Sequence, residues 1–401
     1  MFATGHSRLA DPADYDKAPV HDKTPVHMDN ELDPNPVTPL KIGITHGDVN
    51  GIGYEIILKT LSDPRILELF TPVIYGSSKV ASYHKKTLNA GNIHFNLVRS
   101  AEQAQEGKAN LVNVYSQEIK VELGQATPIA GEVAFLALEA ATEDLGKGHI
   151  DALVTAPINK QNIQRDGFNF PGHTEYLASK FNVRDSLMLM VNNNFRIGVI
   201  TGHIPLHEVP RAITRELILH KMQIFQQSLI RDFGIRKPRL AILGLNPHAG
   251  DKGIIGREEE EILIPAIQTA FEAGILAFGP FPADGFFGSA TFRQFDGILA
   301  MYHDQGLIPF KTLSFKSGVN YTAGLPVVRT SPAHGTAYEI AGKDMASPDG
   351  FREAVYLAID VVKNRTIFDE YSSDPLKYSM LEEDSDADKN ALKDLPDNAF
   401  D

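Results

Sequence analysis

The chain has no cysteine among its 401 residues, which excludes a disulfide framework and any thiolate metal site. A bound metal must then be held by nitrogen and oxygen ligands. The missing disulfides fit a cytoplasmic location. No apolar run approaches the ~20 residues that span a bilayer, so no membrane partner is expected. The N-terminal residues lack the apolar h-region of a secretory signal. Positive charge is also scarce: 38 Lys and Arg stand against 51 Asp and Glu, a formal net charge of −13. That balance speaks against nucleic acid as a partner, since a non-specific binder needs a basic surface. It leaves an anionic substrate open, because a local field can oppose the global sign. Finally, no Gly-x-Gly-x-x-Gly occurs. The usual Rossmann fingerprint is absent, and any nicotinamide cofactor must be held in another way.

What is present fits a globular protein. Hydrophobic residues make up 43% of the chain, enough for a sizeable core, and the length suits two or three domains of about 150 residues. The ends differ from the middle. Residues 1–39 are rich in Asp, Pro, His and Lys without a hydrophobic period, which predicts a mobile tail. Residues 372–401 predict an acidic disordered tail around Glu382, Glu383, Asp384, Asp386 and Asp388. Between them, short apolar runs alternate with helical patterns. Lys41–Thr45, Pro72–Tyr75, Leu111–Val114, Ala152–Thr155, Leu187–Val191, Ile197–Thr201, Leu240–Leu245 and Ile298–Met301 read as strands buried on both faces. Tyr54–Leu61, Glu132–Leu145, Arg215–Phe233, Glu258–Ala273 and Gly350–Lys363 read as helices. The alternation predicts an α/β fold with a largely parallel sheet, and in such sheets chemistry gathers at the carboxyl ends of strands.

Five motifs fall at such ends. Gly47-Asp48-Val49-Asn50-Gly51-Ile52-Gly53 joins a strand to a helix, either as an anion cradle or as a tight turn. His203, His248 and His303 each follow an apolar strand beside glycines. Each alone suits a structural histidine, whereas together they could converge on one divalent cation. Asp304 is placed to orient an imidazole. His173 and Thr174 sit at a helix start, as a cap or as donors to a carboxylate or phosphate. Lys311, Asn320 and Arg329, with Lys316 nearby, suit either anion capture or a solvated face. Ser331–Ala337, carrying His334, Gly335 and Thr336, suits either a loop or the close approach of a flat ring.

Together these segments resemble the 4-hydroxythreonine-4-phosphate dehydrogenase family of pyridoxal phosphate biosynthesis. The strings Gly47-Asp48…Gly51-Ile52-Gly53, Gly172-His173-Thr174-Glu175, Asn246-Pro247-His248-Ala249-Gly250, Pro282-Ala283-Asp284 and Tyr302-His303-Asp304-Gln305-Gly306 carry the resemblance over nearly the whole body. Ser331–Gly342 also looks like the adenine-side loop of isocitrate and isopropylmalate dehydrogenases. The resemblance departs at His46 and Tyr54, where many members carry proline. It implies an isocitrate-dehydrogenase-like α/β/α fold with two subdomains and a central cleft. Residues 40–155 plus 286–371 would form the cofactor side, and 156–285 the substrate and dimerisation side. It implies a homodimer with active sites at the subunit interface. His203, His248 and His303 would hold zinc, magnesium or cobalt. His173, Thr174, Lys311, Asn320 and Arg329 would contact substrate, and His334, Gly335 and Thr336 would meet NAD or NADP. Asp284 and Lys311 are the catalytic candidates. The implied reaction is oxidation of 4-phosphooxy-L-threonine to a β-keto acid, which decarboxylates to 3-amino-2-oxopropyl phosphate. A sugar-acid phosphate such as erythronate or threonate 4-phosphate is the close alternative substrate. A phosphate acyltransferase and a catalytically silent binding module are more remote.

Overall fold

The computed structural model describes residues 39–91, 93–193, 195–314 and 317–374. The two expected tails lie outside them apart from Pro39 and 372–374, and so does Lys316. Twelve strands form one sheet: β1 Lys41–Thr45, β2 Thr71–Gly76, β3 Phe95–Val98, β4 Ala109–Asn113, β5 Ala152–Thr155, β6 Leu187–Asn192, β7 Phe195–Thr201, β8 Arg239–Leu243, β9 Leu276–Phe281, β10 Gly297–Tyr302, β11 Val319–Ala323 and β12 Val328–Pro332. Their order across the sheet is β3-β4-β2-β1-β5-β12-β11-β6-β7-β10-β8-β9.

The expected parallel sheet is in fact two parallel blocks of opposite direction. β3, β4, β2, β1, β5 and β12 run one way. β7, β10, β8 and β9 form the second block. Antiparallel pairings of β12 with β11, β11 with β6 and β6 with β7 join and reverse them. The strands at the centre of each block are short and apolar on both faces, and β1, β2 and β5 are almost wholly buried. Helices cover both faces. Asp349–Ser373 packs on β12, β5 and β11, and Pro128–Gly146 packs on β1, β2 and β5. The start of Pro128–Gly146 has two local causes: Thr127 caps it by accepting from the Ala130 N–H, and a proline takes the first turn, where its missing donor costs nothing. The predicted helix Glu258–Ala273 is split, with a π-turn over Glu259–Leu263 followed by an α-helix over Ile264–Glu272.

The glycine-rich turn resolves as a tight turn. Gly47 has φ +67°, and a Cβ there would collide with the Pro157 carbonyl. At Gly53 a Cβ would collide with the carbonyl of His46. The turn's N–H groups are spent internally: Asp48 donates to Pro157 O at 2.9 Å, Gly51 to Asp48 O at 3.1 Å and Ile52 to Thr336 O at 3.1 Å. The buried Asp48 carboxylate accepts from Asn50 N at 2.8 Å, Asn162 Nδ2 at 2.8 Å and Tyr338 Oη at 2.7 Å. The turn therefore clamps the 334–338 loop.

Beneath the turn, the two departures from the family pattern stack with a third ring. His46 lies on Tyr54 with centroids 5.1 Å apart, and Tyr54 on His84 at 4.8 Å. Burial pushes both imidazoles down to about 4 from 6.5, although each has a backbone carbonyl partner that opposes the shift. The unfolded chain therefore binds more protons between those values. Stability is full above pH 6.5 and falls as the pH drops towards 4, by roughly 3 kcal/mol per ring when fully developed. We predict that denaturant unfolding free energy falls across this window, and that His84→Gln shallows the slope. An unchanged slope in the variant contradicts the assignment.

Candidate active site

A cavity of about 820 Å³ opens on one face of the sheet where the two blocks meet. Met188 and Met190 of β6, Asn320 of β11, Arg329 and Ser331 of β12 and Val199 of β7 form its floor. The loop after β5, the start of the helix His173–Lys180 and the ends of β7 and β10 form its walls. Of the residues expected from sequence, His173, Thr174, His203, His303, Lys311, Asn320, Arg329, His334 and Gly335 line it. His248, Asp284 and Thr336 do not. Thr336 instead packs its backbone on the glycine-rich turn.

The wall is positive in a strongly acidic protein. Lys160, Arg184, Lys221, Lys311 and Arg329 line it against only Glu175 and Asp185 among the described residues. Asp185 is already paired with Lys221. Arg329 is the extreme case. It is 3% exposed, and its Nε and Nη2 both donate to one hydroxyl, Thr155 Oγ1, at 3.1 and 2.6 Å. No carboxylate among the described residues pairs with it. Burial pushes its pKa down to about 9, with the charge of Glu175 opposing. A guanidinium has five donors, so most of this fork faces the cavity unused. An unpaired buried cation is costly, which makes an incoming anion its natural partner.

His173 stands beside it. Burial, then the charges of Arg329 and Lys160, hold its imidazole well below the ordinary range and so neutral. Its Nε2 is buried without a partner. Asn320 Oδ1 is likewise buried and unpartnered, and Thr174 Oγ1 meets Thr322 Oγ1 at 3.1 Å. These open valences converge on the same space.

Across the cavity, His203 and His303 approach with ring centroids 5.6 Å apart. His303 Nδ1 lies 2.7 Å from Asp304 Oδ1. When that nitrogen donates, the carboxylate fixes the ring and leaves the Nε2 lone pair free. Burial, then the Lys160 charge, lowers the pKa of His203. A neutral imidazole is the form that ligates a cation. Within one chain, however, the described residues include no group of three His, Cys, Asp or Glu able to hold a metal ion. The two imidazoles approach each other without a third such group beside them among the described residues.

His248 is exposed on a strained turn. His248, Ala249, Asp251 and Lys252 all have φ between 44 and 54°, a conformation non-glycine residues adopt rarely and mostly where function holds them. The bracing is extensive. Asn246 N donates to Glu259 Oε1 at 2.7 Å, and Asn246 Nδ2 donates to Glu258 Oε2 at 2.8 Å and Glu259 Oε2 at 2.9 Å. Glu259 is 2% exposed and lies in the π-turn, so these acids serve the turn as well as a helix start. Gln305 Nε2 donates to Gly244 O at 2.6 Å, while Gln305 Oε1 accepts from Met301 N at 2.7 Å. One side chain thus ties the strand end behind His248 to the strand end behind His303. Asp284 is exposed at the start of the short helix Ala283–Gly288.

Sequence reasoning missed Thr155, Lys160 and the place of Glu175 in the wall. Thr155 and Lys160 follow the apolar run of β5, the same strand-end signal that marked the histidines.

Fold and cleft define an α/β enzyme that takes a small anionic substrate. The family model for the pyridoxal phosphate biosynthetic protein PdxA matches residues 68–358. A 4-hydroxythreonine-4-phosphate dehydrogenase of Bacteroides thetaiotaomicron is 54% identical over 354 residues, covering 88% of this chain and 97% of that one. A protein of Oceanobacillus iheyensis, named for an inferred D-threonate 4-phosphate dehydrogenase activity, is 37% identical over 81% of this chain and 98% of its own. The crystal structure of the Klebsiella pneumoniae 4-hydroxythreonine-4-phosphate dehydrogenase superposes with a TM-score of 0.71 at 31% identity, covering 82% of this chain and 99% of that one. The class is the NAD(P)-dependent dehydrogenases. Within it, the chain belongs to the PdxA family of pyridoxal phosphate biosynthetic proteins.

The role of Thr155 is testable. Thr155→Val removes the sole hydroxyl acceptor of Arg329 and leaves the guanidinium free to swing. We predict about tenfold weaker binding of a phosphorylated substrate, restored by Thr155→Ser, in isothermal titration. Unchanged affinity in the valine variant contradicts a positioning role.

Proposed function

We propose that this chain oxidises the secondary hydroxyl of 4-phosphooxy-L-threonine with NAD or NADP. The β-keto acid formed loses carbon dioxide to give 3-amino-2-oxopropyl phosphate for pyridoxal phosphate biosynthesis. The observation that carries the reading is Arg329, a buried cation without a carboxylate partner, in a cavity where cations outnumber acids. A doubly anionic small molecule supplies what this wall lacks. The 54% identity to the Bacteroides enzyme supports the particular substrate.

Arg329, Lys311 and Asn320 grip the anionic ends, so that binding energy orients the reacting carbon. His173, held neutral, donates or accepts one hydrogen bond without adding charge, and Thr174 lies beside it at the helix start. His334 and Gly335, with Thr336 clamped to the glycine-rich turn, form the face that meets the nucleotide. When bound, NAD(P) takes up the hydride and a divalent cation polarises the hydroxyl oxygen. His203 and His303 of one chain would hold that cation, and three imidazoles favour zinc or cobalt over magnesium.

The third imidazole, in this reading, is His248 of the partner subunit in a homodimer. Exposed apolar residues follow each histidine: Ile204 and Leu206 after His203, Ile254 and Ile255 after His248, and Ile308 after His303. Such apolar surface around a site suits a face covered by a second copy. Asp284, exposed and outside the cavity wall, reaches substrate only if a partner presents it.

Mixed dimers test the arrangement. His203→Ala and His248→Ala homodimers lose bound metal and turnover. A dimer of one chain of each rebuilds one intact site if the ligands come from both subunits. We predict recovery of about half the metal and activity per dimer. Mixed dimers as inactive as the parents contradict the shared site. A second reading, a sugar-acid phosphate substrate, is favoured by the Oceanobacillus relative. Turnover of threonate 4-phosphate above that of the amino acid, followed at the nicotinamide absorbance, would decide for it.

A further inference from the structure

Lys160 is a cation of the cavity wall that no role above has used. It lies five residues beyond the end of β5, whose last residue Thr155 holds Arg329. Its stem runs past Gly172 at the start of the helix that carries His173 and Thr174. A Cβ on Gly172 would sit 3.9 Å from Lys160 Cε and 3.5 Å from Glu175 Oε2. The bare backbone at Gly172 therefore leaves the space in which both side chains lie. The Lys160 backbone carbonyl accepts from Gln164 Nε2 at 3.0 Å, so its own loop is ordered. Its amine makes no ion pair or hydrogen bond among the described residues, whereas Lys221 in the same wall is taken by Asp185 and the Ser186 carbonyl.

Lys160 lines the same cavity as His173 and Arg329 and as His203 and His303. Those residues mark the anion-binding wall and the imidazole pair. Substrate that meets both shares the cavity with this amine. A solvated ammonium on a four-carbon stem waits at little cost and closes as a point charge when an anion arrives.

The geometry points to Lys160 as a substrate-binding residue whose ammonium takes an oxyanion of the substrate, phosphate or carboxylate, alongside His173, Thr174, Lys311, Asn320 and Arg329. This inference rests on the reading of the cleft as the site of a phosphorylated hydroxy acid.

The test compares Lys160→Met and Lys160→Arg with the parent in the full chain. KM for the phosphorylated hydroxy acid is measured at saturating nucleotide. Affinities for inorganic phosphate and for 4-hydroxy-L-threonine, which keeps the carboxylate and lacks the phosphate, are measured by titration calorimetry. We expect KM to rise about ten- to hundredfold in Lys160→Met and to be largely restored in Lys160→Arg, with KM for the nucleotide unchanged. Weakened inorganic phosphate binding identifies the phosphate as the partner. Weakened 4-hydroxy-L-threonine binding identifies the carboxylate. If KM and both affinities stay within about twofold of the parent, the inference is wrong. It is also wrong if KM rises while neither probe weakens. Failure of the parent to oxidise any phosphorylated hydroxy acid would instead overturn the proposed function, and the phosphate titration would still report on Lys160.

Discussion

The contact between the Arg329 guanidinium and the Thr155 hydroxyl is the constraint on which the site depends. A cation buried to 3% exposure with a neutral acceptor is unstable by design. The sheet supplies the rigidity that keeps it there. β12 carries Arg329 and pairs in parallel with β5, which ends in Thr155. Both strands are locked under the long C-terminal helix. The neutral His173, the unpartnered Asn320 oxygen and the amines of Lys160 and Lys311, unpaired among the described residues, line the same cavity. An acidic chain with a positive pocket repels anions from most of its surface and concentrates them at one place.

The second half of the site follows a different logic. Where Arg329 is buried and incomplete, His248 is exposed and strained. Six successive residues of positive φ, His248 to Gly253, braced by Asn246, Glu258 and Glu259, hold a side chain that makes no hydrogen bond or ion pair among the described residues. Gln305 couples that turn to the strand behind His303. Strain of this kind persists only where surrounding structure over-determines it. The proposed homodimer would give it a purpose, since each copy would then supply what the other lacks.

Much of this was legible in the sequence, and the gaps have physical causes. β1 and β5 were read at their observed limits, because strands buried on both faces are unbroken apolar runs. β11 and β12 were invisible as strands for the opposite reason. Asn320, Arg329 and Ser331 interrupt their hydrophobic pattern because those positions face the cavity. The residues that conceal the strands are the ones that reveal the site, as expected where function overrides local pattern. β3 and β9 were missed because edge strands are half exposed. Periodicity also carries no information on strand direction, so the reversal between the two blocks could be found only in three dimensions. Nine of the expected residues line the cavity, yet strand-end position could not tell that His248 lies outside it. That depends on a turn geometry set by distant acids.

Thermal unfolding of Arg329→Met, with and without saturating phosphorylated hydroxy acid, tests the central claim most directly. If the guanidinium is kept for an anion, removing it leaves the unliganded protein as stable as the parent or more so, and the ligand-induced rise in Tm disappears. A variant that melts several degrees lower while keeping the full ligand-induced rise would show that Arg329 serves the fold and not the substrate.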